Sequence, residues 1–200
     1  AGSIANSSIR NQPRDLEDRL PPHETMVAST ARMARALAKG GCDLIALEMM
    51  QEDRMAPAAL EGARQAGLPV WLGVSAAWNE SRDALVGCAF PDVAFDAILD
   101  SLLPLKPDVV SVMHTDIDAT GPALEQVRQR WDGLLGVYPN SGYFTLPNWN
   151  FVDIISPDDL VRETRGWVAQ GATILGGCCG LGPDHIAALR DALPTMKEAA

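Results

Sequence analysis

The sequence predicts an α/β fold built on a parallel sheet. Three observations carry this. Short apolar runs recur along the chain, each too short for a helix, and stretches with helical spacing lie between them. No two of these runs lie close enough to form a hairpin, so each pair needs a crossover. The apolar runs also end in polar residues, namely Glu48, Ser75, His114, Asn140 and the pair Cys178-Cys179. In parallel α/β folds the carboxyl ends of strands are where ligands bind.

Ala1 to Ile4 reads as the end of a strand already under way, and Asn6 to Pro22, with three prolines, as a polar loop. Residues 24–39 are predicted helical: Met26, Thr30, Met33, Ala34 and Leu37 share one face, and Gly40-Gly41 stops it. Cys42 to Leu47 is a buried strand ending at Glu48. Residues 52–66 form the next helix and Pro69 to Ser75 the next strand. Residues 76–91 read as a loop, with Cys88 lacking a partner spacing.

A helix is expected over 93–103, with Pro104 and Pro107 marking its exit. Asp108 to Met113 is a strand followed at once by His114-Thr115-Asp116, and residues 121–131 are a helix. Leu134 to Tyr138 is a strand, Pro139 to Gly142 a turn, and 143–153 an irregular loop. Ser156-Pro157 starts a helix, with Ser156 as N-cap, that ends at Gly171. Ala172 to Leu175 is the sixth strand, and the last helix spans about 183–193. Six strands with intervening helices fit either an open doubly wound sheet or a (β/α)8 barrel.

The chain has 200 residues, 47% hydrophobic and 21% charged, which supports one domain with a proper core. A net charge of -10 disfavours nucleic-acid and anionic-membrane partners. No apolar run approaches the ~20 residues of a membrane span. The four cysteines, Cys42, Cys88, Cys178 and Cys179, suggest no disulfide framework, so a reducing cytoplasmic location is expected.

Gly176-Gly177-Cys178-Cys179-Gly180 holds the most informative chemistry. Adjacent cysteines pair poorly with each other, because their Cα atoms are about 3.8 Å apart, below the usual disulfide range. Two thiols on one glycine turn suit a shared soft metal, most plausibly zinc. Cys-Cys pairs elsewhere are more often small buried hydrophobes, but the glycine frame at a strand end favours the metal. For Ser75 and Asn140, turn hydrogen bonding is as good a reading as substrate binding.

Five segments, in order along nearly the whole chain, resemble the homocysteine S-methyltransferase family. They are Gly2-Ser3-Ile4, Asp43 to Glu48, Pro69 to Leu72, Val137 to Gly142, and Gly176 to Gly180. The resemblance implies a (β/α)8 TIM-type barrel, with this chain covering strands three to eight and the first two lying before Ala1. Such a set of strands alone is expected to aggregate or to form a homo-oligomer. The resemblance also implies Zn2+ held by the cysteine pair and a third cysteine. Homocysteine or a similar thiol amino acid would be the acceptor and a small molecule the methyl donor. Glu48 would bind the acceptor's amino-acid part, with Ser75 and Asn140 as further substrate-binding candidates. The third cysteine is missing: His114 stands in its place and is the expected third ligand. Met49 and Tyr143 also depart from the family's usual Thr and acidic residue.

Overall fold

The computed structural model describes residues 1–5, 20–51, 55–145 and 148–197. Most of the expected 6–22 loop, the first residues of the 52–66 helix and the chain's last three residues lie outside the described residues.

Six strands form one sheet in the order β1-β2-β3-β7-β8-β11, and every pairing in it is parallel. They are β1 (Gly2–Ala5), β2 (Ile45–Glu48), β3 (Val70–Val74), β7 (Val109–Asp116), β8 (Leu134–Asn140) and β11 (Ile174–Leu175). The crossovers carry the helices α1 (His23–Lys39), α2 (Met55–Arg64), α3 (Phe95–Leu102), α4 (Ile117–Arg128) and α5 (Pro157–Ala169), and α6 (Pro183–Lys197) follows the last strand. Strands succeed one another in chain order, without the reversal that defines a doubly wound sheet.

Side chains alternate across each strand, so the sheet has two unlike faces. Ile4, Ile45, Leu47, Val70, Leu72, Val110, Val112, Leu135 and Val137 are buried in the core with Ala34, Leu60, Leu99, Leu124, Leu160 and Trp167 of the helices. Each such Val, Leu or Ile side chain contributes about 1.5–3 kcal/mol by leaving water. The other face carries Ser3, Glu48, Trp71, Gly73, Ser111, Leu134, Gly136 and Tyr138. It is more polar and less covered, and Leu134 is 56% exposed.

Two expected loops contain strands. Residues 76–94 form an antiparallel meander of β4 (Ala76–Trp78), β5 (Leu85–Gly87) and β6 (Phe90–Ala94). Asn79 makes its first turn: its side-chain oxygen accepts from the backbone N–H groups of Asp83 and Ala84, and its amide donates to the Asp83 carboxylate. Strands this short show no periodicity, and Pro91 within β6 argues against a strand. Residues 143–150 form the hairpin β9 (Tyr143–Thr145) and β10 (Asn148–Asn150). The expectation of no hairpins is therefore corrected.

Two helix starts also differ. The first residues of the expected 93–103 helix belong to β6, and a 3₁₀ turn, Leu103–Leu105, follows α3. α4 begins at Ile117, ahead of the expected 121, because Gly121-Pro122 reads as a breaker yet sits inside the helix. Ser156 caps α5 as expected, accepting from the N–H of Asp159 at 3.1 Å.

Candidate metal centre

The cysteine turn is fastened to the end of β8 by backbone bonds. Gly176 N–H donates to the carbonyl of Val137 at 2.9 Å, Cys178 N–H to Pro139 at 2.8 Å, and Ser141 N–H to Cys179 at 2.9 Å. Gly180 has φ +81°, and a Cβ there would lie 2.0 Å from the Ser141 carbonyl oxygen. Only glycine fits, so the turn's last residue is dictated by how closely the two loops approach.

His114 arrives from β7. Met113 pairs with Tyr138 and Asp116 with Asn140, and the register shifts between them. Three residues of β7 therefore oppose two of β8, and His114 has φ +46°. This is a β-bulge, a device that re-aims a side chain. Thr115, fully buried, pins it: its hydroxyl donates to the Met113 carbonyl at 2.9 Å and accepts from the Ala76 N–H at 3.0 Å.

The bulge turns the imidazole onto the thiols. His114 Nδ1 lies 3.5 Å from Cys178 Sγ and 3.8 Å from Cys179 Sγ, and the two sulfurs are 3.8 Å apart. A tetrahedral zinc, with bonds of about 2.3 Å to sulfur and 2.0–2.1 Å to nitrogen, would require sulfur–sulfur and sulfur–nitrogen separations of about 3.8 and 3.6 Å. The donor set and its spacing therefore fit zinc. His114 is buried and both cysteines are half-buried. Burial pushes the Cys178 thiol up to about 12, helped by the charges of Cys179 and Glu48. Without a cation the site thus favours the protonated thiol.

Glu48 lies on the same face, two strands away. Its carboxylate accepts a hydrogen bond from the Ser3 hydroxyl on β1. Tyr138 stands between the two regions. Its phenol is held above its ordinary range, first by burial, then by the charges of Glu48 and Cys178. Gly73 leaves it room: a Cβ there would meet the Tyr138 hydroxyl at 2.8 Å.

Ser75 and Asn140 support neighbouring groups. Ser75 is fully buried; its hydroxyl donates to Met113 Sδ at 3.2 Å, and Met49 Sδ, at 3.6 Å, is the alternative acceptor. Met49, directly after Glu48, has φ +59°. Asn140, 4% exposed, donates from Nδ2 to Asp116 Oδ1 at 2.7 Å. The structure thus brings together His114, Cys178 and Cys179, sets Glu48 on their face, and leaves Ser75 and Asn140 buried, bonded to Met113 and Asp116 respectively. Sequence reasoning assigned no role to Ser3, Asp116 or Tyr138. Tyr138 directly precedes the Pro-Asn-Ser-Gly turn, which was its one available signal.

A family model described as homocysteine S-methyltransferase matches residues 1–193. The chain belongs to the homocysteine S-methyltransferase family. Among relatives of the family, it is 30% identical to homocysteine S-methyltransferase 3 of Arabidopsis thaliana, over 88% of this chain and 51% of that protein. It is also 30% identical to methionine synthase of Mycobacterium leprae, over 76% of this chain and 13% of that protein. The chain thus spans about half of the plant relative and a small part of the bacterial one. The homocysteine methyltransferase MmuM of Escherichia coli, in its apo form, superposes with a TM-score of 0.67 at 21% identity, over 95% of this chain and 60% of that one. Its metallated form superposes with a TM-score of 0.64 at 22% identity, over 86% of this chain and 52% of that one. These likenesses show a shared fold.

Proposed function

We propose that the protein transfers a methyl group to the thiol of homocysteine or a close analogue, at a zinc site made by His114, Cys178 and Cys179. The observation that carries this is the convergence of one imidazole nitrogen and two thiols at tetrahedral zinc spacing on the face that also holds Glu48. The unreversed strand order and the MmuM likeness support a (β/α)8 barrel in which the six parallel strands are the third to the eighth. The free cysteines suit a reducing cytoplasm.

Bound zinc would supply positive charge that keeps the acceptor sulfur a thiolate at neutral pH. The rest falls to the chain's own residues. Glu48, oriented by Ser3, binds the acceptor's ammonium group and fixes the direction in which its sulfur points. Tyr138 and the sheet face around it exclude water from the space between. The thiolate then attacks the donor's methyl carbon in line: an S–CH3 bond forms, the bond from methyl to donor breaks, and its electron pair leaves with the donor. Positioning supplies much of the acceleration.

Histidine in place of a third cysteine has a chemical consequence. A neutral imidazole removes one negative charge from the ligand set, so the acceptor sulfur is held more tightly and donates electrons less readily. Slower transfer than in three-cysteine relatives is expected. The reach is conserved: Nδ1 is two bonds from Cβ where a cysteine sulfur is one, but metal–nitrogen bonds are shorter than metal–sulfur bonds.

The test is zinc content and methionine formation by the full-length protein purified without chelator. Wild type should hold one zinc, the Cys178→Ser/Cys179→Ser double variant none, and His114→Ala should bind zinc at least about 10-fold more weakly. His114→Cys should restore binding. Equal zinc in wild type and the double variant would overturn the assignment.

A further inference from the structure

We infer that His185 is a positioning residue for the metal turn, closing a ring of hydrogen bonds that ties Cys178-Cys179 to the two loops beside it. The ring stands on its own geometry, and its consequence for zinc rests on the metal-site reading above.

The turn needs fastening from outside the sheet. The strand that leads into it, β11, lies at the end of the sheet and pairs with β8 through Ile174 and Leu175 alone. A chain of hydrogen bonds supplies the rest. The Cys179 carbonyl accepts from the Ser141 N–H at 2.9 Å. The Ser141 hydroxyl oxygen accepts from the Ile155 N–H at 2.9 Å. The Ile155 carbonyl accepts from His185 Nε2 at 2.7 Å, and His185 Nδ1 accepts from the Gly182 N–H at 3.1 Å. Gly180 and Leu181 join Gly182 back to Cys179, so the circuit is closed.

This pattern fixes the state of the imidazole. A backbone N–H only donates, so Nδ1 is the bare nitrogen and Nε2 carries the hydrogen that Ile155 accepts. His185 is the third residue of α6, where a side chain that bonds back to the N–H ahead of the helix is an ordinary cap. Glutamate or glutamine caps in the same way. Histidine adds a second nitrogen, which reaches a loop 30 residues away. Ile154, beside that bond, packs where Gly142 and Gly180 leave room: a Cβ on them would come within 3.0 and 2.9 Å of its Cδ1. Capping and ring closure are thus separable roles of one side chain.

The experiment separates them by substitution. His185→Gln can keep both bonds, accepting from Gly182 through Oε1 and donating to Ile155 through Nε2. His185→Glu keeps the cap, but its carboxylate has no hydrogen to donate to the Ile155 carbonyl. The metal-free full-length protein is labelled with a thiol reagent, and the rates at Cys178 and Cys179 are read by mass spectrometry against Cys42. His185→Glu and His185→Ala should label the pair about tenfold faster than wild type, the scale of one hydrogen bond in a local opening. His185→Gln should label like wild type. Zinc affinity, measured by chelator competition, should follow the same order, with about tenfold weaker binding in His185→Glu. Labelling of His185→Glu at the wild-type rate overturns the inference, because capping alone is then the role. Equal acceleration in His185→Gln and His185→Glu also overturns it, because the donated bond then does not matter. A wild type that binds no zinc would remove the metal-site reading, and the labelling rates would still decide the ring.

Discussion

The two ends of the candidate site are built by different means. At the β8–β11 end, backbone carbonyls and N–H groups place the cysteine turn, and a bulge places His114. From β1 to β3, side chains do the placing: Ser3 holds Glu48 across β1 and β2, and Ser75, after β3, sits against the sulfurs of Met49 and Met113. Backbone bonds survive most substitutions but leave no slack where the chains touch. Side-chain bonds can be retuned one residue at a time. The metal end should therefore fail abruptly and the acceptor end by degrees.

Gly180→Ala should have the largest effect. The added methyl would sit 2.0 Å from the Ser141 carbonyl at a φ only glycine adopts freely, so the two loops must part. We expect loss of bound zinc and a destabilisation of about 2–4 kcal/mol, read by elemental analysis and urea unfolding. A stable, zinc-replete Gly180→Ala would show that the loops move independently. Glu48→Gln comes next. It should raise the acceptor's KM about 10-fold with zinc content unchanged, since one charge-assisted bond to the ammonium group is lost. An unchanged KM would remove Glu48 from the acceptor site.

The next effect depends on pH. The folded, metal-free chain holds the Cys178 proton up to about pH 12, while the unfolded chain loses it near pH 9. Holding a proton that the unfolded state releases lowers stability as pH rises from about 9 towards 12, and has no effect below that window. Metal-free wild type should therefore lose stability faster than Cys178→Ala between pH 8 and 10.5, measured by urea midpoints. Parallel curves would mean the thiol ionises as easily folded as unfolded. Ser75→Ala should do least. Hydroxyl-to-thioether bonds are weak, so we expect under about 1 kcal/mol in stability and a few-fold change in acceptor KM.

The same contrast governs what could be read in the amino-acid sequence. Parallel strands buried on the core face are continuous apolar runs, so all six main strands and the polar residues ending them were legible. The cysteine turn and His114 were legible because their chemistry is rare and they follow strands directly. The bulge at His114 was not, since it is a property of register between two strands. Asp116 was hidden because an acidic residue before a helix reads as a cap, and only Asn140 reveals that it is diverted. Ser3 was hidden because its partner lies 45 residues away on the neighbouring strand. The meander and the hairpin were missed because three-residue strands carry no period and Pro91 interrupts the one longer strand, β6.

The ligand spacing along the chain also bears on the order of assembly. Each main strand pairs with the one before it in sequence, so the sheet can grow unit by unit from near-neighbour contacts. The imidazole and the thiols, however, are separated by 64 and 65 residues, and the thiols follow the last strand. These candidate ligands come together only when that strand docks. Metal capture would then be a late event that locks a finished sheet, and the rate of zinc uptake during refolding would time the docking of the final strand.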